Sequence, residues 1–424
     1  MKMKVTVIGL GYVGLPLLCA IAKSKKYIAV GFDLDKKKVE QIKKKICPID
    51  DETCTTDLKK VELEVSMDEK ILAGSDIFII CVPTPVYDNF KPNYGPVIGA
   101  SKVIAKYLRD GNIIILESTV NPGTCEEVVM PVLSKISKVA KEGKYTLAHC
   151  PERINPGDPR WTVYNIPRNV GTFPESDVKK VADFYRNFID TDINEVSGLK
   201  VAEATKIVEN TFRDIDIAYV NELAMSFDAM GIDLVDTLKG ASNKPFAFMA
   251  HWPGRGVGGH CIAVDPYYLI NRAAKSGFNH SFLKIARNVN NGMPAYTVKR
   301  LEQGFKEAKL NKKTKIALLG LSYKENIGDL RESPCLKIVE ILKKKKYKLN
   351  VFDPFVVELS SVKSLKEAMS GVEAVIVCTA HNEFVNIHEI LKNNKRVKVV
   401  VDGMNKLDKN AIKKLNIIYK GIGR

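Results

Sequence analysis

Lys4-Val5-Thr6-Val7-Ile8 is a short apolar strand that runs directly into Gly9-Leu10-Gly11-Tyr12-Val13-Gly14. Residues 15–24 then read as a helix, and Ile28 to Phe32 as a second strand ending at Asp33. A G-x-G-x-x-G turn between a strand and a helix, with an acid closing the next strand about 20 residues later, is the context of a dinucleotide site. Glycine permits the tight turn and lets a pyrophosphate approach the helix N-terminus. Gly9, Gly11, Tyr12, Val13, Gly14 and Asp33 are therefore candidate cofactor residues. A carboxylate at position 33 accepts ribose hydroxyls and repels a 2′-phosphate, which favours NAD over NADP. Lys36, Lys37 and Lys38 lie near enough to blunt that preference.

The fold class follows from the same pattern. Residues 76–82 and 112–117 are apolar strands without alternation, as expected of a parallel sheet covered on both faces. The spacing predicts βαβ units throughout residues 1–195, a doubly wound domain. Residues 198–231 form the longest helical pattern, with Val208, Phe212, Ile215 and Tyr219 on an apolar seam. A further helix is expected over 281–306, and the middle region, 196–308, carries no strand signal. It reads as a helical connector with a face suited to a dimer. From Thr314 the βαβ pattern restarts, with strands at 315–319, 348–352, 374–378 and 397–401 and a helix at 334–346. The expected architecture is α/β: two Rossmann-like doubly wound parallel-sheet domains, the second over 309–424, joined by a helical domain with a long central helix.

Composition narrows the function. The net charge is +16, yet Lys36–Lys38, Lys43–Lys45 and Lys343–Lys346 are scattered runs that read as solvated helix faces. No nucleic-acid-binding signature accompanies them, so no nucleic acid partner is expected. The nine cysteines, Cys19, Cys47, Cys54, Cys81, Cys125, Cys150, Cys261, Cys335 and Cys378, are odd in number and contain no CxxC pair. That argues against a disulfide framework and against a metal site, and for a reducing, cytoplasmic compartment. Val5 to Ala22 is free of charge but holds Gly9, Gly11, Gly14 and Pro16. A strand, a turn and a buried helix explain it better than a signal peptide or membrane span.

The chemistry centres on Gly254-Arg255-Gly256-Val257-Gly258-Gly259-His260-Cys261, followed by Asp265-Pro266. Four glycines in six residues let the main chain come close to a ligand, and a thiol beside such a loop can attack a carbonyl carbon. On the long helix, Lys206, Asn210 and Arg213 share one face at i, i+4 and i+7, away from the apolar seam. A Lys and an Asn together can hold an oxyanion or an attacking water. Val82-Pro83-Thr84-Pro85 and Glu117-Ser118-Thr119-Val120 each end a strand, where ligands of open α/β sheets bind.

Taken in order, the glycine fingerprint, these two strand ends, Lys206…Asn210, the Cys261 loop and Tyr323-Lys324…Arg331-Glu332-Ser333-Pro334 resemble the UDP-glucose/GDP-mannose dehydrogenase family over nearly the whole chain. The resemblance implies an NAD-dependent, four-electron oxidation of a nucleotide-sugar C6 alcohol through a thiohemiacetal and a thioester on Cys261. It implies that Lys206 and Asn210 stabilise oxyanions, that Asp265 positions water, and that Thr119 and Glu152 flank the sugar. Tyr12, Val13, Asp33, Lys38, Thr84 and Thr119 would touch NAD, with Arg331 reaching it from the last domain or a neighbouring subunit. Arg153, Ile154, Lys206, Asn210, Arg213, His251, Arg255, Gly256, Tyr323 and Lys324 would hold the UDP-sugar. A homodimer or higher homo-oligomer is expected.

Two departures refine this. Glu152-Arg153-Ile154-Asn155-Pro156-Gly157 carries Pro156 where the UDP-glucose branch has a second acid, and looks like the branch that oxidises UDP-N-acetylhexosamines. Met404 stands where family members often place an Arg. UDP-N-acetylglucosamine and UDP-N-acetylmannosamine both remain open, with UDP-glucose as the alternative. Outside the family, a two-electron hydroxy-acid dehydrogenase would share the N-terminal fingerprint but give Cys261 no role. A basic RNA- or surface-binding module would give no role to either.

Overall fold

The structure, a computed structural model, describes residues 2–87, 91–154, 160–259 and 261–424. The chain forms two compact units, Met1–Glu209 with Tyr267–Gly277, and Asn210–Pro266 with Phe278–Arg424. The division falls within the long helix Leu199–Met230 and again inside the helix Asp265–Lys275.

In the first unit, eight strands stand in the order β3-β2-β1-β4-β5-β6-β7-β8. They are β1 (Lys4–Ile8), β2 (Ile28–Phe32), β3 (Glu64–Ser66), β4 (Ile77–Ile80), β5 (Ile113–Leu116), β6 (Thr146–His149), β7 (Arg168–Phe173) and β8 (Ile193–Glu195). In β1, Val5 lies opposite Ala29 on one side and Ile77 on the other, both in parallel register. The absence of alternation has a direct cause: both faces are covered. Ile77 and Ile79 pack into one core and Phe78 and Ile80 into the other, because successive side chains of a strand point to opposite faces. The first helix, Gly14–Lys23, buries Leu15, Leu17, Leu18 and Ile21 completely. The charge-free run from Val5 is thus a strand and a core helix. Among the described residues no helix is long and apolar enough to cross a membrane.

One expectation needs correction. The βαβ spacing does not hold throughout, since β7 runs antiparallel to β6, with Ala148 opposite Thr172. The segment joining them contains no crossover helix among its described residues. Without a crossover, the chain returns alongside β6 in the opposite sense.

The second unit holds a five-stranded, all-parallel sheet in the order β10-β9-β11-β12-β13. The strands are β9 (Lys315–Leu319), β10 (Lys348–Phe352), β11 (Ala374–Val377), β12 (Val399–Asp402) and β13 (Ile418–Gly421). This sheet repeats the first one at its switch point. Gly9 has φ +92° and donates its N–H to Phe32 O at 2.9 Å; Gly320 has φ +89° and donates to Phe352 O at 2.9 Å. Asp33 Oδ2 then accepts Leu10 N at 2.7 Å, as Asp353 Oδ2 accepts Leu321 N at 2.5 Å. A Cβ on Gly9 would stand 2.7 Å from Cys81 O, and one on Gly320 2.7 Å from Thr379 O. Both turns therefore require glycine, for conformation and for space.

Candidate active site

The fingerprint turn of the first unit leaves open space at one glycine and close backbone contact at the others. A Cβ on Gly14 would lie 1.9 Å from Gly9 O, so the helix and turn touch there, whereas a Cβ on Gly11 would meet nothing within 4 Å. Gly11 thus presents bare backbone to open space beside the N-terminus of the first helix, with Tyr12 exposed next to it. Asp33 is nearly buried at the end of β2. Its Oδ2 accepts Leu10 N and the Lys38 ammonium at 2.9 Å, and its Oδ1 accepts Asp35 N at 2.9 Å. The carboxylate is fixed in place, and Lys38 is committed to it. These residues fit NAD.

Beyond the switch point, the ends of β4 and β5 are tied together. Thr84 Oγ1 donates to Thr119 O at 2.8 Å, Ser118 Oγ donates to Val82 O at 2.6 Å, and Tyr268 Oη donates to Thr84 O at 2.6 Å. Glu152 follows β6, and its carboxylate accepts the N–H of Ile154. Burial pushes the Glu152 carboxyl up, and the Lys206 ammonium opposes that shift. Arg153 is turned to Glu209 of the long helix (2.7 Å) and to Pro167 O (2.9 Å). Asn155, Pro156 and Gly157, which carry the branch signature, lie outside the described residues, as does His260.

In the second unit, Cys261 is the single exposed cysteine of the chain. Its carbonyl accepts the N–H of Val264 at 3.0 Å and of Asp265 at 2.8 Å, which starts the helix Asp265–Lys275. Asp265 is buried, and its Oδ2 accepts Asn210 Nδ2 at 2.5 Å. The glycines before Cys261 have a different partner from the one expected. They bring the loop against the chain itself: a Cβ on Gly258 would stand 2.6 Å from Tyr323 Cβ, and one on Gly259 2.9 Å from Tyr323 Cε2. Gly259 N also donates to Arg331 O at 2.9 Å, and Gly256 adopts φ +125°.

Arg255 is 3% exposed and anchors the same loop from inside. Its Nε lies 3.0 Å from Cys335 Sγ, and its Nη2 donates to Tyr323 O at 2.9 Å and Thr379 Oγ1 at 3.1 Å. Burial works to raise the Cys335 thiol, but the Cys378 thiol, the guanidinium and Thr379 outweigh it and hold it below the usual thiol range. Arg331 is exposed and forms a bidentate pair with Asp329, at 3.0 and 2.6 Å. His251 faces Asp216 at 3.6 Å, and Tyr323 and Lys324 are partly buried.

On the long helix two polar residues are buried and part of the apolar seam is exposed. Lys206 and Asn210 are 9% and 8% exposed, while Val208, Phe212 and Tyr219 are 58%, 49% and 55% exposed. The polar pair is buried on a helix that also buries Ala202, Ile207, Ala218, Val220 and Ala224, while three of the four seam residues stand exposed and Ile215 is partly buried. Arg213 is exposed.

Three family models match the chain in order. Residues 3–189 match the NAD binding domain of the UDP-glucose/GDP-mannose dehydrogenase family, 200–292 its central domain and 317–409 its UDP binding domain. The chain belongs to this family. It is an NAD-dependent UDP-sugar dehydrogenase, an oxidoreductase. A UDP-N-acetyl-D-glucosamine 6-dehydrogenase of Pseudomonas aeruginosa is 37% identical over 94% of this chain and 96% of the relative. A UDP-N-acetyl-D-mannosamine dehydrogenase of Pyrococcus horikoshii is 33% identical over 100% of this chain and 99% of the relative. The solved structure of the UDP-D-ManNAc dehydrogenase from Pyrococcus horikoshii superposes with a TM-score of 0.92 at 32% identity, covering 100% and 99% of the two chains.

The dehydrogenase also contains supporting residues that the sequence did not single out. In the second unit, Gly254 N donates to Asn221 Oδ1 (2.9 Å), Asn221 Nδ2 to Asn290 Oδ1 (2.9 Å), and Asn290 Nδ2 to Asp214 Oδ1 (2.8 Å). Arg287 closes the chain on Asp214 at 2.5 Å. This buried relay ties the start of the Cys261 loop to the long helix. The available signal was Asp214, an acid next to Arg213 on the long helix.

Proposed function

We propose that this chain oxidises the C6 alcohol of a UDP-N-acetylhexosamine, UDP-GlcNAc or UDP-ManNAc, to the uronic acid with covalent catalysis by Cys261. The observation that carries the proposal is an exposed thiol on an anchored glycine loop, one helical turn before an Asp265 that is bonded to Asn210. The names of the relatives and the Glu152-Arg153-Ile154…Pro156-Gly157 sequence favour an N-acetylhexosamine over UDP-glucose.

NAD, when bound, would supply the hydride acceptor, two molecules in turn each taking one hydride from C6; the Gly11 backbone and Asp33 would hold it, with Thr84 and Thr119 beside the same site. The residues of the chain supply the rest. A water held by the Lys206 ammonium takes the proton of the C6 hydroxyl as the aldehyde forms and passes it to solvent. The Cys261 thiolate then adds to the aldehyde carbon, forming a C–S bond. The ammonium of Lys206 and the amide of Asn210 stabilise the oxyanion of that adduct, where preorganised donors act most strongly. Loss of the second hydride from carbon leaves a thioester. Asp265 takes a proton from water as that water attacks the thioester carbon; the C–S bond breaks and the thiolate is regenerated. Glu152 flanks the sugar. Arg153, Ile154, Arg213, His251, Gly256, Tyr323 and Lys324 contact the UDP-sugar, with Arg255 acting through the loop it anchors.

The outward apolar seam on the long helix is read as a contact with a second copy of the chain, in a homo-oligomer working in the reducing cytoplasm. Its mass in solution checks this: a strict monomer overturns it.

The deciding assay offers the purified chain NAD⁺ with UDP-GlcNAc, UDP-ManNAc, UDP-GalNAc and UDP-glucose separately. The expected result is two NADH per UDP-N-acetylhexosamine. One NADH per sugar, or turnover of UDP-glucose in preference to all three, overturns the proposal.

A further inference from the structure

The turn that follows β5 in the first unit gathers three metal-ligating side chains for which the reaction has no use. One ligand atom each from Cys125, His149 and Glu203 lie within 4.8 Å of one another. All three residues are completely buried. They come from distant parts of the sequence: the segment after β5, the last residue of β6, and the long helix. No Cys/His spacing betrays them.

The state of His149 is the telling observation. Both of its ring nitrogens are buried without a hydrogen-bond partner. Buried polar side-chain atoms nearly always have one, and an exception calls for an explanation such as an ion. Glu203 is oriented toward the same place. Its Oε2 accepts Gly123 N at 2.5 Å and its Oε1 accepts Cys125 N at 2.8 Å. Each carboxylate oxygen has two acceptor sites, so both oxygens retain capacity to coordinate.

We propose that Cys125, His149 and Glu203 bind one structural divalent cation of the zinc type. The donor set decides the class. A thiolate, an imidazole and a carboxylate are zinc ligands, in the number that leaves a fourth tetrahedral position for water or another oxygen. Calcium and magnesium take oxygen ligands and would leave the sulfur and nitrogen unused. The charges balance, since a thiolate and a carboxylate neutralise a divalent cation inside the core. Binding releases the Cys125 thiol proton to solvent and changes no oxidation state. The cation would join the segment after β5 and the end of β6 to the long helix, at a position three residues before Lys206. It would therefore act on the stability and positioning of the first unit and touch no reacting atom. The proposal is independent of which sugar the enzyme oxidises.

The test uses the full chain, freed of metal with a chelator and alkylated with iodoacetamide, which caps the exposed Cys261 while Cys125 stays out of reach. Titration with Co²⁺ is expected to give a thiolate-to-cobalt charge-transfer band saturating at one equivalent and displaced by Zn²⁺. Zn²⁺ is expected to raise the melting temperature. His149→Gln and Cys125→Ser should each weaken the metal at least about 10-fold, and the second should remove the band. Absence of the band in the alkylated wild-type protein overturns the proposal, as does an unchanged titration in folded variants. Should both variants fail to fold, X-ray absorption of the zinc-loaded wild type decides. One sulfur with nitrogen and oxygen neighbours supports the site; no sulfur, or two or more, overturns it.

Discussion

Cys261→Ala is expected to lower steady-state NADH formation from the UDP-N-acetylhexosamine by at least about 10³-fold, the scale of losing a catalytic nucleophile. The thiol is exposed, so the fold should survive its removal. The loop around it stays in place for reasons that do not involve sulfur. The Cys261 carbonyl starts a helix, Gly258 and Gly259 pack on Tyr323, and Arg255 is clamped at Cys335, Tyr323 and Thr379. A nucleophile held by such supports is preorganised, and its removal leaves cofactor binding intact. NAD affinity should therefore stay within about 2-fold of wild type. Cys261→Ser keeps the shape but offers a hydroxyl that is a much weaker nucleophile at neutral pH, and the same loss is expected. Acid-quenched wild-type enzyme should carry a mass adduct equal to the sugar nucleotide, and neither variant should. Turnover by Cys261→Ala within 10-fold of wild type would rule out the covalent route.

The sequence disclosed chemistry and local geometry better than it disclosed partners. Val5 to Asp33 could be read almost residue by residue, because a strand, a glycine turn and an acid at the next strand end each leave a local mark. β4 and β5 were equally clear, since a strand buried on both faces has no polar residues to interrupt it. The antiparallel β7 was not, because strand direction depends on the connection and not on the pattern within the strand. β3 and β8, three residues each, are too short to carry a period. The glycines at 254–259 marked a close approach, but only the folded chain reveals that Tyr323 is what approaches. Arg255 illustrates the same limit: a cation in a glycine loop suggests a phosphate, while its burial against Cys335 is a fact of three dimensions. The Lys206–Asn210 face was legible as a face, but that it turns inward while Phe212 turns out was not.

The second large effect is expected far from the thiol. Arg168→Met should destabilise the first unit by about 3–5 kcal/mol, the cost of breaking a buried ion pair by removing one partner. Arg168 begins β7 and is 2% exposed, and Glu117, just past β5, is fully buried. Arg168 Nη1 lies 2.9 Å from Glu117 Oε1, and Tyr185 Oη donates to the same oxygen at 2.5 Å. The guanidinium also lies over the Tyr185 ring, 5.1 Å from its centroid. Without Arg168 the Glu117 carboxylate would be left as an uncompensated charge in the core. For a unit of this size the loss corresponds to roughly 6–20 °C in melting temperature. The pair is nevertheless not optimised, because Glu117 Oε2 and Arg168 Nε and Nη2 have no hydrogen-bond partner. Replacing both members should therefore be far milder than replacing one: Glu117→Leu with Arg168→Met is expected to recover most of the lost stability. Differential scanning calorimetry of the two single variants and the double variant measures this coupling directly. Additive losses in the double variant would show that each residue is held by something other than the other's charge. Recovery would mean that the attraction within the pair does little more than offset the desolvation of its two charges, so that an apolar pair could fill the same core.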